Sequence, residues 1–157
     1  MTPTSDTVQL FLSFKGRMRR RDAWICFLAL VVSSIILAFA LAQFVPARWV
    51  SLTVTVLLTW PILAIAAKRL HDRGKQAPPW LAIYFGATLL LTLLQQFGIG
   101  YYWRNGIAFP TGFWPNMLSF FALLTGLIGA FETAFGPGEN GPNPYGRDPR
   151  VYRPDDR

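Results

Sequence analysis

The chain is short of charge and nearly devoid of cysteine and histidine. Charged residues fill 15% of its 157 positions, against about a quarter in an ordinary soluble domain. Hydrophobic residues fill 52%. Together these figures argue against a water-soluble globule and for a membrane protein. Cys26 is the sole cysteine, which rules out a disulfide within the chain and a cysteine-based zinc site. His71 is the sole histidine, and one imidazole without further ligands makes no metal site. No cofactor is expected. Acids are scarce too: eight against fifteen Lys and Arg, a net charge of +7. On a soluble protein that surplus would suggest nucleic acid. Here the cations sit at the ends of apolar runs, as anchors to anionic headgroups do, so nucleic acid is not an expected partner.

What the chain has is long apolar runs. A membrane-crossing helix needs about twenty apolar residues, and four stretches qualify: 23–44, 49–67, 80–99 and 117–135. The first two carry no charge, the third holds Gln95 and Gln96, and the fourth holds one acid, Glu132. The strict alternation of barrel strands is absent, so lipid leaves helices as the backbone choice. The expected fold is all-α, a four-helix transmembrane bundle over 23–135. A basic interfacial segment, 1–22, precedes it, and a Gly/Pro-rich tail, 136–157, follows it. Segment 8–14, Val-Gln-Leu-Phe-Leu-Ser-Phe, is too short to span and is expected to lie in the interface.

Orientation follows the cations. Thirteen of the fifteen flank one side: Lys15, Arg17, Arg19, Arg20, Arg21, then Lys68, Arg69, Arg73, Lys75, then Arg147, Arg150, Arg153, Arg157. Only Arg48 and Arg104 flank the other. Both termini are therefore expected in the cytoplasm. Ala40-Leu41-Ala42 resembles a signal-cleavage site, but the run before it exceeds a signal core of about 7–15 residues, so the first span is expected to remain as a signal-anchor. The aromatic loop 97–115 is expected in the outer interface, with a re-entrant loop as the alternative. Stripes of small residues, Ser34-Ala38-Ala42 and Ala122-Gly126-Ala130-Ala134, are candidate helix contacts, within the bundle or between copies in a homo-oligomer. Pro61 is expected to bend span two, with Thr59 available to the carbonyl that Pro61 frees.

Chemistry concentrates at the end of span two, in Lys68-Arg69-Leu70-His71-Asp72-Arg73-Gly74. Lys68, Arg69, His71, Asp72, Arg73 and Glu132 form the candidate polar cluster of the cytoplasmic rim, and Arg17, Arg19, Arg20 and Arg21 are candidate headgroup contacts. An acid placed as Glu132 is, just inside the end of span four, needs a partner. Lys68 or Arg69, snorkelling from span two, is the expected one. His71 and Asp72 are adjacent, so on a helix they point about 100° apart and form no catalytic dyad. No nucleophile motif is visible.

Three blocks carry a family resemblance: Phe14-Lys15-Gly16-Arg17 followed by Arg20 and Trp24; Lys68 to Gly74; and Asn143-Pro144-Tyr145-Gly146-Arg147-Asp148-Pro149. In order and placement they resemble the small bacterial inner-membrane proteins of domain-of-unknown-function family 805. The resemblance runs from Phe11 to Pro149. Ala23 replaces an aromatic common before the tryptophan, and 76–80, Gln-Ala-Pro-Pro-Trp, keeps only the tryptophan of a usual Ser/Gly/Trp pattern. The resemblance implies a bacterial inner (plasma) membrane and no assigned activity. The tail 136–146, with four glycines and three prolines, suits neither helix nor strand. Its Tyr145 is a candidate anchor beneath the bundle.

The leading expectation is a non-enzymatic integral membrane protein whose basic rim binds anionic lipid or a protein partner. A small oligomeric transporter or channel is the second reading. A membrane enzyme acting on lipid headgroups, with phosphate meeting Arg69 and Arg73, is the third.

Overall fold

The computed structural model describes residues 9–149. It is mostly helical, with α1 at Arg20–Ala42, α2 at Ala47–Asp72, α3 at Ala77–Phe97 and α4 at Phe113–Phe135. All four are long and apolar enough to cross a membrane. At a rise of about 1.5 Å per residue they measure about 32–39 Å, enough for a hydrocarbon layer of about 30 Å. The outward faces are what lipid requires: Leu28, Ile36, Phe39 and Leu127 all stand exposed on the bundle.

The helix ends follow local chemistry. Helix α2 runs five residues beyond its apolar stretch, so Lys68 to Asp72 form its last turn and not a loop. It stops where Gly74 adopts φ +69° and Lys75 N–H returns to Leu70 O at 3.0 Å, a left-handed glycine cap. Pro78 and Pro79 begin α3, where a missing N–H is harmless, and Gly98 ends it with φ +69°. Within α2, Thr59 Oγ1 donates to Thr55 O at 2.7 Å. The hydroxyl thus bonds its own preceding turn and not the Leu57 carbonyl that Pro61 frees, which corrects the expectation.

The loop between α3 and α4 also departs from expectation. Tyr101–Arg104 (β1) and Ile107–Pro110 (β2) pair antiparallel, Tyr102 opposite Phe109 and Arg104 opposite Ile107. Asn105 and Gly106, with φ +51° and +79°, make the two-residue turn that matches strand twist. The fold is therefore mostly helical, four long helices with one short two-stranded hairpin added to the expected bundle. Tyr101 is buried and donates from its hydroxyl to Pro115 O at 2.7 Å, and Trp103 Nε1 donates to Gln95 O at 2.8 Å. These bonds hold the hairpin on the ends of α3 and α4.

Helix α3 packs most extensively on α4, and α1 on α2. The α4 seam is Ala122, Thr125, Gly129 and Thr133. A Cβ on Gly129 would collide with Tyr84, so a hydrogen at this position sets how closely α3 approaches. Ala130, expected on the seam, is exposed. The stripe is rotated because the Thr125 and Thr133 hydroxyls return to carbonyls of their own helix, at 2.9 Å to Phe121 O and 2.8 Å to Gly129 O, and so behave as small packing residues.

The segment before α1 packs on the bundle. Leu10 and Phe11 pack on Met18, Ala23, Cys26 and Ile65, and Phe14 packs on the cluster of Ala67, Leu70, Ala77 and Tyr84. Trp60 donates to Leu12 O at 3.0 Å and meets Phe14 edge-on at 4.9 Å. The segment is thereby inserted against α2. Leu10, Phe11 and Phe14 thus find protein partners, while Leu12 stays exposed.

Candidate functional site

The polar end of the bundle is organised around Asp72, the last residue of α2. The Asp72 side chain is 6% exposed, and those of Arg17 and Arg69 are 1% and 0% exposed. Burial at this level is costly for any charge without a partner, and each of the three has one. Arg17 Nε donates to Asp72 Oδ1 at 3.0 Å, with Nη2 at 2.9 Å from the same oxygen. Arg69 Nη1 donates to Oδ2 at 2.7 Å.

Both guanidiniums have further donors, and these go to main-chain carbonyls. Arg69 donates to Thr133 O at 3.0 Å, Met18 O at 3.0 Å and Gly136 O at 2.7 Å. Thr133 and Gly136 bracket the end of α4, where helix carbonyls lack partners along the chain. Arg17 donates to Gly141 O at 2.6 Å and Glu139 O at 2.7 Å, both in the tail. The tail returns the contact: Glu139 N–H donates to Asp72 O at 2.8 Å. Gly138 passes so close that a Cβ there would overlap the Asp72 carboxylate. Two arginines and one aspartate thus join the segment before α1, the end of α2, the end of α4 and the tail.

His71 lies beside this centre and faces elsewhere. Its ring stacks on Tyr145, 4.0 Å between centroids and 6° from parallel. Its Nδ1 donates to Gly16 O at 3.2 Å. Asn143 Nδ2 donates to His71 O at 2.8 Å, while Asn143 Oδ1 accepts from Tyr145 N–H at 3.0 Å. The tail turn 143–146 is fixed to the end of α2 by these contacts. Tyr145 is the anchor that its position in the tail suggested.

Lys68 and Glu132 do not meet. Lys68 Nζ donates to Gln9 O at 3.0 Å and to Leu10 O. Residues 9–12 are helical, so the ammonium caps the carbonyl end of that turn, where a cation is electrostatically favoured. Glu132 pairs instead with Arg73 and with Lys75, the latter at 2.7 Å. The expected pairing with Lys68 or Arg69 is corrected for a physical reason. Arg69 has committed its donors to Asp72 and the α4 carbonyls, and α4 ends level with the turn after α2, which presents Arg73 and Lys75. Lys75 also lies 4.4 Å over the Trp80 ring.

The four expected headgroup contacts separate into three kinds. Arg17 is buried in the Asp72 centre. Arg19 Nε donates to Pro149 O. Arg20 and Arg21 are exposed in the first turn of α1, and among the described residues neither has an ion-pair partner. Cations in a helix's first turn oppose its dipole, and α1 has no side-chain cap and only Asp22 as a nearby acid. Helix stability therefore does not account for them. Arg150, Arg153 and Arg157 lie outside the described residues.

As chemistry, the site is a clamp. Both Asp72 oxygens accept from guanidiniums. His71 and Asp72 serve different partners. Among the described residues no three His, Cys, Asp or Glu side chains gather as a metal site would require. Sequence reasoning missed Arg17 as partner of Asp72, Lys75 as partner of Glu132, and the Asn143 bridge. One signal pointed to two of them: the three sequence blocks that supply Arg17, Asp72 and Asn143 are far apart in the chain and meet here.

Comparison with known proteins agrees with that convergence. The chain is 33% identical over 146 residues to the uncharacterized protein YiiR of Escherichia coli strain K12, covering 90% of each chain. The same figures hold for YiiR of Escherichia coli O157:H7. No solved structure matches. A family model described as protein of unknown function (DUF805) matches residues 11–147, which takes in the first two blocks and the third as far as Arg147. On that match, the chain belongs to the DUF805 family.

Proposed function

We propose that this is a multi-pass protein of the bacterial inner membrane, both termini cytoplasmic, acting without catalysis of its own. Its basic rim seats on anionic headgroups. The observation that carries this reading is the division of labour among the cations. Arg17, Arg69, Arg73, Lys68 and Lys75 satisfy the protein's own carboxylates and carbonyls, while Arg20 and Arg21 remain exposed and unmatched at the same end. The orientation rests on the Lys/Arg imbalance between the two ends. Protein partners and homo-oligomers fall within the same proposal as further occupants of this rim.

Orientation is tested by a membrane-impermeant thiol reagent applied to intact spheroplasts. Thr111→Cys, beside the hairpin, is expected to label, and Asn140→Cys, in the tail, to stay unlabelled until the membrane is opened. Labelling of Asn140→Cys from outside overturns the topology. Lipid seating is tested by thermal unfolding of the full chain in phosphatidylcholine and in phosphatidylglycerol bilayers. A higher midpoint in the anionic bilayer is expected, and equal midpoints overturn the reading.

A further inference from the structure

A cavity of about 340 Å³ opens between the start of α1 and the end of α4. Arg19, Arg20 and Arg21 form one wall, and the tail from Gly136 to Gly138 forms the other. Its floor is the buried Arg69–Asp72 pair. Four guanidiniums and one carboxylate line it, and that carboxylate is already held by two guanidiniums. Arg69 cannot turn toward a ligand, because its donors serve Met18, Thr133, Gly136 and Asp72. Arg19 is tied through Nε to Pro149 O, whereas Arg20 and Arg21 stand exposed.

This combination selects for an anion. The lining carries an excess of positive charge, and the planar guanidinium fork matches tetrahedral oxyanions with paired N–H donors. We infer that this cavity is a specific phosphate site, in which Arg20 and Arg21 take the phosphodiester of an anionic lipid. The inference rests on the rim reading above and narrows it to one place. Trp24 supports the placement of a lipid headgroup here. It lies one turn beyond Arg20, donates from Nε1 to Ala134 O at 3.2 Å and meets Phe135 edge-on at 5.5 Å. An amphipathic ring at this depth marks the level where headgroups meet hydrocarbon. The cavity thus opens where a lipid phosphate would lie.

The test is a titration of the full chain in neutral detergent, followed by the shift in thermal midpoint. The probes are short-chain phosphatidylglycerol, short-chain phosphatidylcholine and inorganic phosphate. Phosphatidylglycerol is expected to bind the wild type, and each of Arg20→Gln and Arg21→Gln to weaken it about tenfold, as loss of one charge-assisted hydrogen-bonding group does. Lys15→Gln with Arg147→Gln removes two exposed cations outside this cavity and is expected to weaken it less than about threefold, by the screened attraction of distant surface charge. Arg20→Lys with Arg21→Lys preserves charge without the fork and is expected to retain an intermediate affinity. If the Lys15/Arg147 pair weakens binding as much as the Arg20/Arg21 pair, the rim attracts lipid diffusely; the cavity assignment is overturned and the rim reading stands. If inorganic phosphate binds as tightly as the lipid and is lost in Arg20→Gln, the lipid source is overturned in favour of a free phosphate. If phosphatidylglycerol does not bind the wild type, both readings fall.

Discussion

Replacing Asp72 by asparagine would remove one charge from the polar end and almost no volume. Its two oxygens accept from Arg17 and Arg69, whose side chains are 1% and 0% exposed. In Asp72→Asn both guanidiniums stay buried, and one faces an amide N–H₂ where it had an acceptor. Breaking a buried pair by removing one partner costs about 3–5 kcal/mol. Relaxation at the 6% exposed carboxylate lets in some water, which favours the lower half of that range. Against a net stability of about 5–15 kcal/mol this is a large loss. At about 2–4 °C per kcal/mol for a chain of this size, the thermal midpoint is expected to fall by about 6–16 °C. The assay is thermal unfolding of detergent-solubilised full chain, paired with limited proteolysis of the tail. Cleavage between Gly138 and Tyr145 is expected to accelerate, because Arg17 and the Asp72 carbonyl hold that segment. A wild-type midpoint together with wild-type protease resistance would refute the reasoning.

Other substitutions are expected to have graded effects. Gly138→Ala forces a methyl group into the Asp72 carboxylate and is expected to cost about 1–3 kcal/mol, read as a lower midpoint and a faster-cleaved tail. Tyr145→Ala removes the ring stacked on His71 and is expected to cost about 0.5–1.5 kcal/mol, with faster tail cleavage as its clearest sign. Glu132→Gln is expected to cost no more than about 1 kcal/mol and to lose its effect in high salt, since the Glu132 side chain is 26% exposed and Arg73 19%. Gly129→Val places two methyl groups against Tyr84 and is expected to separate α3 from α4, seen as a larger drop in midpoint than Ala130→Val on the exposed side of the same helix.

The four helices were legible because lipid sets a length requirement that an apolar run either meets or does not. Their ends were less so. Hydropathy falls at Lys68, yet the helix continues to Asp72, because lysine, arginine and leucine sustain helix well outside an apolar layer. Asn105-Gly106 is a strong hairpin signal, but its flanking strands are four residues each and sit in an aromatic-rich stretch that reads equally well as interfacial loop. The polar residues at the α2 end were identifiable by type and place. Their partners were not, since Arg17 and Asp72 are 55 residues apart, and local spacing holds no information about which distant cation arrives first. Burial changed the meaning of the cluster as well. Arg69 and Asp72 are three apart on α2, a spacing that on an exposed helix gives only a weak pair, whereas here the pair is closed over by the tail.

The clamp depends on Arg17 reaching Asp72, since that contact joins the segment before α1 and the tail to the end of α2. A double-mutant cycle with Arg17→Gln, Asp72→Asn and the double substitution measures it directly through unfolding free energies. The predicted result is a coupling of about 1–3 kcal/mol, with the double variant less damaged than the sum of the singles. Additive effects would mean that the two side chains do not meet, and would contradict the clamp.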